Sequence, residues 1–189
     1  MAKIIGIIIA ALFFKQTVQC QQTSVKNKLH YTPVLSVGIT EGAAGKTAAQ
    51  LQLSNALSYN SWLAGIGCGI DYYNNKRSIP VFLLLQKELF KNKNTPFLYA
   101  ATGYNFSWLR DEQKTKPFFS FDHKELNGLY YEIGAGYKLT FQKKYSLGLS
   151  AGYSLKQQGE KYFLFERTDQ SEQFDYTFRR FSLKISCWF

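Results

Sequence analysis

The residues able to do chemistry are few and poorly spaced for it. Gly42-Ala-Ala-Gly-Lys-Thr47 has the look of a phosphate-binding loop. Such a loop wraps backbone amides around the phosphate and needs a glycine five positions before Gly45, where Thr40 stands. It also needs a helix behind it, and the residues after Thr47 alternate as a strand. The two histidines, His30 and His123, fall in a polar leader and a charged loop, at opposite ends of the topology set out below. With no histidine on a strand, a serine-histidine-acid site on a barrel wall has nothing to assemble from. Cys20, Cys68 and Cys187 show neither metal-ligand spacing nor a disulfide framework. The pattern points to no catalytic residue, no metal site, no cofactor and no enzyme.

What remains is a set of charges embedded among apolar residues: Asp71, Glu88, Glu132, Lys138, Arg180 and Lys184. Their meaning depends on the elements that hold them. In the last nine residues Phe181, Leu183, Ile185, Cys187 and Phe189 alternate with Ser182, Lys184, Ser186 and Trp188. Alternate side chains of a strand face opposite sides of its sheet, so this strand has one apolar face and one mostly polar or small face. The same alternation recurs over 31–40, 47–57, 61–73, 79–90, from Pro96 to Trp108, over 128–141, and from Tyr145 onward. The eighth strand is the closing one, reaching back toward Phe174. Alternation continues weakly through 162–167, which predicts that the last two strands project as a long hairpin with its tip at 168–173.

The connections after the second, fourth and sixth strands are short, and those after the fifth and seventh are long. Transmembrane barrels have an even strand count, short turns at one end and longer loops at the other. Tilted strands of roughly nine to eleven residues cross a bilayer. The predicted strands meet that length, and no helical periodicity follows the first twenty residues. The expected fold is an all-β, eight-stranded antiparallel up-and-down transmembrane barrel spanning 31–189.

Composition agrees. With 189 residues, 13 Tyr, 16 Phe and one Met, the chain is rich in aromatics and suits a single domain. Its net charge is +10, and +8 without Lys3 and Lys15, yet no basic helix or RNA-binding motif accompanies it. Nucleic acid is therefore not the expected partner; acidic lipid headgroups are. Met1-Ala-Lys3 followed by apolar 4–14 reads as a signal peptide, too short to span as a helix. Residues 1–20 form the signal and 21–30 a flexible periplasmic leader. Cleavage after Cys20, or lipidation of Cys20 as the first mature residue, both remain open. Either way the chain is exported.

On this topology Asp71, Glu88, Glu132, Lys138, Lys184 and Arg180 face inward. A narrow lumen cannot hold unpaired charges, so they form a salt-bridge network that plugs it, with Lys184 meeting Glu88 or Glu132. Inward glycines (65, 67, 69, 134, 136, 148, 152) leave room for large neighbours. Trp62, Tyr72, Trp108, Tyr137, Tyr145 and Phe189 fall near strand ends and suit interfacial girdles.

Gly65-Ile-Gly-Cys-Gly-Ile-Asp-Tyr-Tyr73, Ile79-Pro-Val-Phe-Leu83 and Pro96-Phe-Leu-Tyr-Ala-Ala-Thr-Gly-Tyr-Asn105 resemble the outer-membrane β-barrel domains common in Bacteroidetes, of OmpA-like, porin-family-like architecture. The C-terminal Phe189, with apolar residues two, four, six and eight back, resembles the signal read by the barrel-assembly machinery. The resemblance implies insertion in the outer membrane of a Gram-negative cell, and a monomer is expected. Outer-membrane lipid and lipopolysaccharide are its surroundings, with Lys76, Arg77 and Arg110 toward the phosphates, and no shared catalytic residue is implied. The resembling motifs specify architecture and not function; the expected role is a structural or surface-interaction one in the cell envelope, with 109–127 and 156–175 as the recognition loops. A narrow porin or small-ligand transport barrel is the alternative, and a secreted soluble ligand-binding barrel is a second one.

Overall fold

A computed structural model describes residues 29–42, 47–73, 76–109, 122–141, 145–163 and 171–189. The expected signal peptide, Cys20, most of the expected leader and the Ala43–Lys46 part of the loop-like motif lie outside the described residues, as does Arg110. Nine strands are present among them: β1 His30–Gly42, β2 Thr47–Tyr59, β3 Trp62–Tyr72, β4 Lys76–Glu88, β5 Thr95–Leu109, β6 Asp122–Leu126, β7 Gly128–Phe141, β8 Tyr145–Phe163 and β9 Ser171–Trp188. Each pairs antiparallel with its neighbour in sequence, except that β6 lies on β8, leaving β5 to pair with β7, and β1 also pairs with β9. The sheet is thereby closed, and no edge is left along the barrel wall.

Eight strands form the wall, because β6 and β7 are one strand interrupted. Between Leu126 and Tyr130 the chain takes four steps while its partner β8 takes three, from Gly159 to Lys156. The extra residue is a β-bulge at Asn127–Gly128. Asn127 Oδ1 there accepts the Ser107 backbone N–H at 3.2 Å. The stretch 109–127, expected as loop, thus contains a strand whose partner is the far end of β8. His123 lies on it and His30 opens β1, so both histidines are strand-borne, contrary to the sequence reading. They still stand at opposite ends, one near the termini and one near the far rim. Likewise 156–163 and 171–175 are strand, in keeping with the predicted long hairpin; of its predicted tip, 168–170 lie outside the described residues, and 171–173 are strand rather than turn because they pair with 161–163 of β8.

Strand boundaries moved where a partner decided them. β4 starts at Lys76 rather than Ile79, because Arg77 and Ser78 pair with Trp108 and Ser107 of β5. At the β2–β3 turn Asn60 takes φ 56°, a left-handed conformation that asparagine tolerates better than most residues.

A circuit of paired residues defines the barrel's geometry. From Tyr31 it passes through Leu57, Ala64, Leu85, Ala100, Ile133, Tyr153 and Phe181 and returns to β1 at Glu41, ten residues further along. A shear of ten on eight strands corresponds to a tilt of about 40°. At that tilt each residue advances about 2.5 Å along the barrel axis. Beyond the rim, where Arg180 pairs with Gly42, β6, β8 and β9 continue as a three-stranded sheet projecting from the end opposite the termini.

Candidate functional site: a closed lumen

Inward positions are mostly polar, yet together with a few large rings they leave almost no space. Glu132 on β7 is the centre of the middle tier. It accepts hydrogen bonds from the Tyr99 hydroxyl at 2.8 Å, the Ser182 hydroxyl at 2.8 Å and the Tyr130 hydroxyl, and Lys184 Nζ lies 2.6 Å away. Lys184 also donates to Gln52 Oε1 at 3.2 Å, and Gln52 Nε2 donates to Tyr130 Oη at 3.2 Å. Since β2 and β7 stand opposite each other in the wall, that last bond crosses the lumen. Of the two carboxylates expected for Lys184, the structure selects Glu132. Glu88 instead pairs with Lys138 at 2.7 Å near the terminal end.

The upper tier holds a residue that sequence reasoning missed. Lys156, only 1% exposed, reaches from β8 to Asp71 on the opposite wall. The sequence reading places it in a loop, although the inward parity of Ser150, Gly152 and Ser154 carries straight on to it. Tyr73 Oη donates to the same Asp71 oxygen at 3.1 Å. The Arg180 guanidinium lies over the Tyr73 ring at 4.3 Å and the Phe178 ring at 5.7 Å. Each of the lumen lysines has a ring beneath it as well: Lys184 lies 4.6 Å from Tyr99, Lys156 5.0 Å from Tyr130 and Lys138 5.4 Å from Trp188. Rings and carboxylates together replace the hydration each cation gives up.

Phe82, Phe97, Tyr99, Tyr130 and Trp188 fill the rest, and the glycines make room for them. A Cβ at Gly67 would stand 2.7 Å from the Phe82 ring, one at Gly134 2.6 Å from Tyr99, and one at Gly148 2.8 Å from Trp188. The inward aromatics follow from strand parity alone, and they are the large neighbours for which the inward glycines leave room. A cavity of about 30 Å³ lies between Gln86, Trp188, Phe97, Tyr99 and the serines of β1, β2, β8 and β9. That is room for about one or two waters.

The outer surface is the reverse. Leu35, Val37, Ile39, Leu51, Leu83, Ile133, Leu149, Leu183 and Ile185 are all 37–65% exposed. On β4 this apolar run is bracketed by Arg77, 5.6 Å from the Tyr72 ring, and Lys87, 4.4 Å from the Trp62 ring. Ten residues separate the two cations, or about 25 Å along the axis at the tilt above. Transmembrane barrels carry an apolar band of about that height. Trp62, Tyr72, Tyr137, Tyr145 and Phe189 all point outward and are 43–54% exposed. The Trp108 side chain lies outside the described residues, as do those of Lys76 and His123. Phe189 donates its N–H to the Pro33 carbonyl at 3.1 Å and meets the Tyr145 ring edge-on at 6.0 Å. Cys68 and Cys187 also lie on the outward face, and no group of metal-binding side chains occurs among the described residues.

No family model matches the chain, and no curated protein is similar to it in sequence. Solved structures do match. OprG, an outer membrane protein of Pseudomonas aeruginosa, aligns over 87% of this chain and 98% of its own at 12% identity, with a TM-score of 0.54. The fold is that of a small outer-membrane barrel. Neisserial surface protein A aligns over 85% of this chain and 95% of its own at 10% identity, with a TM-score of 0.55. Outer membrane protein AlkL, solved in lipid bilayers, aligns over 92% and 96% at 13% identity, with a TM-score of 0.53. Identities this low bear on the fold alone.

Proposed function

We propose that this chain is a closed outer-membrane barrel of a Gram-negative envelope, non-catalytic, whose role is structural or one of surface interaction. The observation that carries the reading is the lumen: ion pairs and hydrogen bonds cross it from wall to wall, and rings fill what they leave. Nothing larger than a water has a path through such an interior. The outward apolar band of about 25 Å supports membrane insertion, because in water so much exposed apolar surface would drive aggregation. The motifs around Gly65–Tyr73 and Pro96–Asn105 support the narrower affinity to Bacteroidetes-type barrels of OmpA-like architecture.

In this reading Asp71, Glu88, Glu132, Lys138, Lys156, Arg180 and Lys184 are the plug, and the outward aromatics are the girdles. Arg77 and Lys87 meet headgroup phosphates of lipopolysaccharide and phospholipid at the two faces of the membrane, and Phe189 is the tag for the assembly machinery. Recognition belongs to the projecting end of the barrel. Recording from purified protein in planar lipid bilayers tests the closed lumen. Silence is expected, and discrete steps of steady conductance would establish a narrow porin instead. Recovery of the exported chain in the soluble periplasmic fraction without detergent would overturn the membrane assignment.

A further inference from the structure

The projecting sheet carries a row of rings on the side that continues the lumen face. Tyr176 and Phe178 stack at 6.3 Å with their planes 28° apart. Tyr73, reaching across from the end of β3, stacks on Phe178 at 6.2 Å and 15°. Tyr176, at the outer part of the row, is 40% exposed. Polar groups beside and below the rings lack partners among the described residues. Gln158, directly cross-strand from Tyr176 and only 5% exposed, has an unbonded Nε2. One tier down, at the level of the Lys156–Asp71 pair, Gln50 is 1% exposed and neither of its amide atoms is bonded. The second oxygen of Asp71 is unbonded too.

Buried polar groups are nearly always satisfied; waters can serve Gln50 and Asp71 inside the plug, whereas the Gln158 amide beside the aromatic row suits a ligand that carries hydroxyls. We propose that the barrel mouth is a saccharide-binding site. A pyranose presents an apolar C–H face that stacks on the exposed Tyr176 ring, and hydroxyls that pair with the Gln158 amide beside it. An aliphatic ligand would leave the Gln158 amide open. An anion would meet Asp71 as well as Arg180. The inference deepens the surface-interaction reading and takes its biological meaning from it, but binding at the mouth does not depend on the lumen being closed.

The test uses the full chain in detergent micelles, titrated calorimetrically with two probes: lipid-free core oligosaccharide released from lipopolysaccharide, and maltoheptaose. Saturable binding of at least one is expected. Tyr176→Ala and Gln158→Ala should each weaken it about tenfold, and Thr177→Ala, on the opposite face of β9, should leave it unchanged. Binding of the core oligosaccharide alone assigns the site to a lipopolysaccharide glycan; binding of both assigns it to neutral oligosaccharides more widely. Absence of binding by both probes overturns the proposal, and so does binding that Tyr176→Ala and Gln158→Ala leave intact in variants that still migrate as folded barrels. Either failure leaves the closed-barrel reading to its own conductance test.

Discussion

Glu132 is the residue on which the plug depends, and Glu132→Gln isolates its charge while keeping its shape. The substitution leaves the Lys184 ammonium, 5% exposed, without its carboxylate. Removing one partner of a buried pair costs about 3–5 kcal/mol, because the remaining charge stays desolvated and uncompensated. Gln retains an oxygen for one or two of the Tyr99, Tyr130 and Ser182 hydroxyls, which places the expected loss near the lower end of that range. Lys184→Met leaves a carboxylate that still has three hydroxyl donors, so its loss should be smaller, about 2 kcal/mol. The double variant should cost less than the two singles together, by about 1–3 kcal/mol of coupling. Glu88→Gln is the internal comparison. The Lys138–Glu88 pair is 16% and 25% exposed, and its loss should cost about 1 kcal/mol or less. Reversible urea unfolding in lipid vesicles, followed by tryptophan fluorescence and by the gel shift between folded and heated forms, reads all of these losses. If Glu132→Gln costs no more than Glu88→Gln, Glu132 is not the centre of a buried network and the reasoning fails.

Three other outcomes follow from the same geometry. Gly67→Ala places a Cβ against the Ser54 hydroxyl and, at 2.7 Å, the Phe82 ring; a destabilisation of about 1–3 kcal/mol is expected, and Phe82→Leu in the same chain should recover part of it in the same unfolding assay. Ile133, 65% exposed near mid-height of the apolar band, should lose about 2–4 kcal/mol of stability in vesicles when changed to Arg, and a value near zero would place that face in water. Deleting Phe189 should lower the fraction assembled in the outer membrane in cells while leaving unassisted folding into vesicles almost unchanged; equal loss in both settings would make Phe189 a packing residue rather than a tag.

The predicted strands keep their faces throughout. β7 spans Gly128–Phe141 as read from alternation, and in β4 the inward placement of Gln86 and Glu88 is recovered even though the run Val81–Leu85 is apolar on both sides. Alternation survives because it is local: a side chain points up or down according to its own position, whichever strand comes next to it. Three things fail for the opposite reason. Lys156 reads as loop because its strand runs past the membrane rim, where outward positions are no longer apolar and the pattern fades. Asp122–Leu126 has little strand character of its own and is held by the projecting end of β8. The histidines go with these boundaries.

Chemistry without distance was therefore readable from the chain, and distance was not. Residue order alone decided that eight strands alternate, that their charges face inward and that their outer faces are apolar, since each follows from the two-residue period of a strand. Only the closed structure decided which charge meets which. A shear of ten staggers the strands so that residues far apart in sequence share a tier, bringing Lys156 to Asp71 on the opposite wall and Lys184 to Glu132 rather than Glu88. The same stagger sets Phe82 against Gly67 and Trp188 against Gly148, which turns a polar lumen that could have conducted into one that is filled.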